Sequence, residues 1–258
     1  MNDSFGDRMK KYENQSKGYL LNKVPVIIRI DGKGFHNFCK RFEKPYDEFL
    51  NNSLNQVMKF LCEEVQGVKF GQRHSDEISL LLSDYDNINS DAYFGYGIQK
   101  ICSVTASMAT GEFCKQLTDD VISRIQNKIL LWNERWPSFD ARCFNIPKEE
   151  IVNYFWWRLL DAARNSVNLH ARSYFSHSQL QNKNSNQMQE MLFQKHNINW
   201  NNIPQERKSG FICIKEKIEK EIEINNEKST VQRNVWTVKP SFSTYTDLFQ
   251  EVQNLNLL

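Results

Sequence analysis

Two acidic residues sit where apolar runs meet turns: Asp31, closing "VPVIIRID", and Asp76, opening "DEISLLL". Carboxylates at such strand ends, with a backbone carbonyl such as that of Gly32, form an oxygen-rich cage suited to Mg²⁺, which takes one or two carboxylates plus phosphate oxygens and water. Two such ions about 3.5–4 Å apart can activate a hydroxyl and neutralise a leaving pyrophosphate. The plainer alternative is that Asp31 makes a turn and Asp76 caps a hairpin.

The surrounding residues suit phosphate. "DGKGF" could cradle phosphates through its backbone N–H groups, because glycine permits close approach. It matches neither GxxxxGK[ST] nor GxGxxG, and a plain glycine turn is its default reading. Lys33, Lys40, Arg41 and Lys44 give positions 33–44 four cations against one anion, Glu43. That density fits a triphosphate or a nucleic-acid end, and equally a solvated loop. Arg29 lies in an otherwise apolar strand and must find a partner or reach the strand's end. Ser75 offers a hydroxyl to a phosphate or to the turn. Glu77 is a candidate third metal ligand, although strand alternation turns it away from Asp76. His36 and His74 lack metal-ligand spacing and suit polar contacts to a triphosphate or RNA. Nothing pairs the members of a Ser-His-Asp or Cys-His nucleophile.

Regular elements must position these groups. "VPVIIRI" (24–30) reads as a strand buried on both faces. Leu50, Leu54, Val57, Met58, Leu61 and Val65 follow helical spacing up to Gly67. Residues 67–82 read as a hairpin. A helical region follows from about Tyr93 to Trp132, with a break expected near Gly111 or Thr118. "FDARCFNI" (139–146) gives a strand ended by Pro147. The order predicts an α+β, ferredoxin-like βαββαβ sheet with helices on one face. In that topology the first and third strands are antiparallel neighbours, and side-chain alternation brings Asp31 beside Asp76.

Residues 1–146 form this core, and 147–258 read as a helical and β-hairpin extension packed on it as a single unit. Pro147 opens a helix carrying Tyr154, Phe155, Trp156 and Trp157, which suit core or subunit packing better than base stacking. The Asn/Gln-rich stretch from His177 to Asn197 predicts a second helix with loops. Residues 211–238 predict a long solvated hairpin turning at Asn225-Asn226.

The bulk properties narrow the class. The 258 residues are 40% hydrophobic and 25% charged, enough for a real core. A net charge of +2 permits nucleic-acid binding only where cations cluster. Six scattered cysteines without a C-x-x-C pair predict reduced thiols. With neither an apolar span nor a secretory signal, no membrane is expected and the cytoplasm is the expected compartment, mitochondrial import staying open.

With these residues in view, the chain resembles the tRNA(His) guanylyltransferase family of 3′–5′ nucleotide-adding enzymes. The resemblance runs in order through "RIDGKGFHNF", "EKPYDE", "HSDEISLLL", "FDARCFNIP", "YFWWRLLDAARNS" and "NINWNNIPQERKSG". It implies a polymerase-type palm working in the reverse chemical direction. Two Mg²⁺ ions would fall on Asp31, the Gly32 carbonyl and Asp76. Nucleotide contacts would fall on Arg29, Lys33, Gly34, Phe35, His36, Lys44, Ser75 and Asn165, with Glu77, Arg41 and His74 as additional candidates. ATP, GTP or other nucleoside triphosphates would be substrates, tRNA the partner, and a homotetramer the assembly. Guanylyltransferases proper carry "HINN" where this chain has "ARNS", Ala163 to Ser166. That departure resembles the guanylyltransferase-like branch, which repairs 5′-truncated tRNA on the opposite strand as template. "GQRHSDE" also holds two extra residues before the Ser-Asp-Glu core, which implies a longer hairpin tip and leaves the roles of Arg73 and His74 open. The alternatives are addition of a single guanosine to tRNA(His), a palm-fold nucleotide cyclase, and a non-catalytic RNA-binding module.

Overall fold

The structure, a computed structural model, describes residues 4–124, 136–224 and 227–255. In chain order its elements are α1 (Ser4–Asn14), β1 (Val26–Gly32), α2 (Phe35–Phe38), α3 (Glu48–Glu64), β2 (Val68–His74), β3 (Glu77–Leu82), α4 (Ile98–Arg124), β4 (Phe139–Asn145) and α5 (Ile151–Tyr174). Then follow α6 (His177–Leu180), α7 (Ser185–His196), α8 (Gln205–Ser209), β5 (Phe211–Ile224), β6 (Glu227–Pro240) and α9 (Tyr245–Asn254). Among the described residues the strands form one antiparallel sheet in the order β4-β1-β3-β2-β5-β6. Its first four strands carry the expected ferredoxin-like palm. No described helix is long and apolar enough to cross a membrane.

β1 forms the centre because both of its faces are apolar: Ile27, Ile28 and Ile30 are fully buried, each contributing about 1.5–3 kcal/mol. Ile28, Ile30, Ile78 and Leu80 pack on Met58 and Leu61 of α3 and Ile101 and Phe113 of α4. Ile27, Leu81 and Phe70 pack on Phe155 and Leu159 of α5 and on Leu248 and Val252 of α9. Helices therefore cover both faces, where the palm pattern alone predicts one. The extension supplies the second layer.

Two further expectations are corrected. α4 runs unbroken from Ile98 to Arg124. Its buried residues Ala109, Phe113 and Leu117 hold one side continuous across Gly111, and the Thr118 hydroxyl bonds back to the Cys114 carbonyl at 2.9 Å, which a helix accommodates. The expected continuation over 125–132 lies outside the described residues, as does the turn at Asn225-Asn226. The 211–238 hairpin is also more than a solvated arm. Its base continues the sheet, with Phe211 opposite Arg73 and Cys213 opposite Gly71.

The four adjacent aromatics of α5 point apart, as a helix demands. Phe155 meets Phe70 edge-on at 4.8 Å, Tyr154 shares a 3.0 Å hydrogen bond with Ser79 Oγ, and Trp156 meets Tyr245 of α9 at 5.8 Å. Trp157 stays half exposed. All six cysteines are free thiols.

Candidate active site

The site forms where β1 runs out of apolar residues. In the β1–β3 register Ile30 lies opposite Ile78, so two residues further on Gly32 falls opposite Asp76. A Cβ at Gly32 would sit 2.7 Å from Asp76 Oδ2 and 2.3 Å from the Phe35 ring. The Asp76 carboxylate thus lies directly against the Gly32 backbone. Alternation alone would pair Asp76 with position 32, one residue past Asp31. Asp31, one residue back, falls opposite Glu77 in the same register, yet its charge reaches Asp76. The missing side chain at Gly32 is what gives the Asp76 carboxylate room against the backbone beside it.

Their electrostatics are those of a cation site. Burial raises the Asp76 carboxyl pKa above its ordinary value. A 2.9 Å bond from Ser75 Oγ to Asp76 Oδ1 opposes that, while the Asp31 charge adds to it. Neither aspartate forms an ion pair among the described residues. Two carboxylates that feel each other's charge, neither in an ion pair among the described residues, with the Gly32 backbone against one of them, are a donor set for a hard ion. The protein cation that Asp76 feels is Arg73. No group of three or more His, Cys, Asp or Glu able to hold a metal occurs among the described residues. Mg²⁺, by contrast, is held by one or two carboxylates once phosphate oxygens and water complete its shell.

The loop after Asp31 is anchored at both ends. Lys33 N–H donates to the Ser138 carbonyl at 2.8 Å. Gly34 takes φ 67°, a left-handed conformation that favours glycine. The Phe35 ring is buried against Phe38, Phe113 and Phe139, with centroids 4.9–5.4 Å away. Phe35 therefore offers a ligand its backbone, its ring serving as the anchor. Lys33, His36, Lys40 and Lys44 are exposed around this loop. Arg41 ends a 3₁₀ turn, and its side chain lies outside the described residues. The Lys44 loop closes on α3 through Asp47, which accepts Leu50 N–H at 2.8 Å and Glu43 N–H at 3.1 Å.

The opposite face of β3 corrects the reading of Glu77. Arg158 Nε and Nη2 donate to its two oxygens at 2.6 and 2.7 Å, and Arg29 Nη2 also bonds to it. Two guanidiniums satisfy this carboxylate, so Glu77 is not a third metal ligand. Arg29 has the partner that its apolar strand demanded. Arg158 continues to Asp161 at 3.2 Å, and Asp161 accepts from Asn165 Nδ2 at 3.3 Å. Asn165 is exposed and linked through this chain to the palm.

His74 is held uncharged. Burial, reinforced by the Arg73 and Arg158 charges, lowers its pKa to about 4. It is neutral at neutral pH and adds no positive charge for a phosphate. Arg73, Arg158 and Asp161 had no assigned role in the sequence. The signal for Arg158 was present: a cation inside "FWWRLL" raises the same demand for a partner as Arg29.

Comparison with known proteins gives the following. The family model described as tRNAHis guanylyltransferase (Thg1) matches residues 6–147, more than half of the chain. A tRNA(His) guanylyltransferase of Schizosaccharomyces pombe is 28% identical over 242 residues, covering 87% of this chain and 85% of its own. A solved bacterial tRNA(His) guanylyltransferase (Thg1)-like protein in complex with ATP superposes with a TM-score of 0.83 at 34% identity, covering 98% of both chains. A bacterial Thg1-like structure in complex with GTP gives 0.80 at 34% identity, over 99% of this chain and 100% of its own.

Proposed function

Because the chain belongs to the tRNA(His) guanylyltransferase (Thg1) family, whose members are nucleotidyltransferases acting on tRNA 5′ ends, we propose that it repairs truncated tRNA 5′ ends by templated 3′–5′ nucleotide addition. The observation that carries this reading is the Asp76 carboxylate set against the Gly32 backbone, within reach of the charge of Asp31 and in no ion pair among the described residues.

The reaction has two transfers. The tRNA 5′-monophosphate attacks the α-phosphate of ATP, releasing pyrophosphate and leaving an adenylylated 5′ end. The 3′-hydroxyl of an incoming nucleoside triphosphate then attacks the tRNA 5′-phosphate and releases AMP. Asp31, Asp76 and the Gly32 carbonyl would hold two Mg²⁺ ions, which lower the pKa of the attacking hydroxyl and stabilise charge on the transferring phosphate. Lys33 and Lys44 neutralise the triphosphate, and the Gly34–His36 backbone and the Ser75 hydroxyl hydrogen-bond its oxygens. Asn165, tied through Asp161 and Arg158 to Glu77, brings the extension to the same nucleotide. Base pairing with the opposite strand selects that nucleotide.

Binding of ATP and GTP by the similar bacterial proteins supports the nucleotide substrates. "ARNS" in place of "HINN" supports repair over addition of one guanosine. The names of the curated relatives favour that second reading. A labelled 5′-truncated tRNA, incubated with ATP, GTP and Mg²⁺, separates the readings. Repair gives extension that stops at full length and depends on the opposing base. Guanosine added to an intact tRNA(His) whatever the opposing base would overturn it. A cyclic product formed without RNA would indicate a cyclase.

A further inference from the structure

Arg73 lies near the end of β2, three residues before Asp76. It is 1% exposed and, among the described residues, makes no ion pair. Burial lowers its pKa to about 10, so it remains charged at neutral pH. Its guanidinium instead joins three segments: the Ser75 turn, α3 and β5. Nη1 donates to the Ser75 carbonyl at 2.6 Å, Nε to Asn55 Oδ1 at 2.8 Å and Nη2 to Asn51 Oδ1 at 3.1 Å. The guanidinium carbon lies 5.0 Å from the Phe211 ring centroid. Asn51 Nδ2 in turn donates to the Asp47 carbonyl at 2.7 Å, where the Lys44 loop ends.

Ser75 explains why such a hub is needed. Its φ is 51°, left-handed for a residue with a Cβ, and this conformation persists only where neighbours over-determine it. The Arg73 bond to its carbonyl supplies that constraint. The next residue is Asp76.

We propose that Arg73 is a positioning residue for nucleotidyl transfer: it locks the left-handed Ser75 turn so that Asp76 stays over Gly32, and through Asn51 it couples that turn to the Lys44 loop. The proposal rests on the site assigned above. Its geometry calls for a planar fork. Lysine keeps the charge but loses the parallel donors and the stacking on Phe211.

The test is Mn²⁺ binding to the folded full-length protein by electron paramagnetic resonance, with steady-state kinetics on 5′-truncated tRNA. Outer-shell changes of this kind cost about 10- to 100-fold in metal affinity. Arg73→Lys should therefore weaken Mn²⁺ binding by about tenfold or more and lower kcat. A merely structural arginine would lower the melting temperature and leave the affinity of the folded protein unchanged, which would overturn the proposal. Asn51→Ala keeps the Ser75 contact and cuts the link to the loop. It should raise KM for the nucleoside triphosphate with Mn²⁺ affinity retained. If Arg73→Lys does not fold, an unchanged KM in Asn51→Ala overturns the proposal by itself. Asp76→Asn separates the two levels. If it too binds Mn²⁺ as wild type does, the site assignment fails; if it alone loses binding, only the role of Arg73 fails.

Discussion

Asp76 and Glu77 are adjacent in the chain and opposite in circumstance. Asp76 turns toward Gly32, within reach of the Asp31 and Arg73 charges but in no ion pair among the described residues. Glu77 turns toward α5, where Arg158 grips it with two bonds and Arg29 adds a third. A buried carboxylate held by two arginines is a clamp, fastening the palm sheet to the extension. A partly buried carboxylate within reach of another carboxylate's charge is an energetic liability until a ligand brings positive charge. One strand thus separates structure from chemistry by sending consecutive acids to opposite faces.

The contrast can be broken at four points. The largest effect should come from Asp76→Ala, which should lower nucleotide addition by about 10³-fold in single-turnover assays while leaving the melting temperature unchanged or higher. Activity within tenfold of wild type would remove Asp76 from the chemistry. Glu77→Gln should act through stability. With two arginines losing their shared acceptor, denaturant unfolding should show a loss of about 3 kcal/mol. An unchanged midpoint would mean that the clamp carries no load.

Gly32→Ala sharpens the point of contact between the regions. A methyl 2.7 Å from Asp76 Oδ2 and 2.3 Å from the Phe35 ring must displace one of them. Turnover should fall about 10²-fold, the cost of roughly 1 Å of misplacement. Gly34→Ala, in open space but at φ 67°, should lower stability by about 1 kcal/mol and spare Asp76. Equal effects from the two would discount the close approach.

The smallest effect is one of pH. His74 has its folded pKa lowered from 6.5 to about 4. As pH falls from 6.5 toward 4, the unfolded chain takes up a proton that the folded chain refuses, so stability is lost over that window. Thermal melts of His74→Gln should lose that part of the acid sensitivity. An identical pH profile would show that His74 is not held neutral.

Much of this is legible in the sequence, for identifiable reasons. β1 and β3 are near-continuous apolar runs, so their centrality and their antiparallel pairing follow from pattern and topology. That topology also brings Asp31 and Asp76 to one end of the sheet. The close fit is not legible, because it depends on a Cβ that Gly32 lacks and on a register that pattern alone does not fix. Gly111 and Thr118 mislead because their breaking tendency is local, while buried neighbours on the same helix decide. The clamp is hidden for a different reason. Arg29 and Arg158 each announce a missing partner, but which acid answers depends on how α5 docks. Arg73 gives the weakest signal of all, since its acceptors are asparagines and a carbonyl rather than a countercharge.

The most direct test is Mn²⁺ titration, followed by electron paramagnetic resonance, on wild type, Asp76→Asn and Glu77→Gln at a temperature where all three are folded. The expected result is loss of binding in Asp76→Asn with stability kept, and retained binding in Glu77→Gln with stability reduced. Retained binding in Asp76→Asn, or loss confined to Glu77→Gln, would contradict the assignment of Asp31 and Asp76 as the cation site.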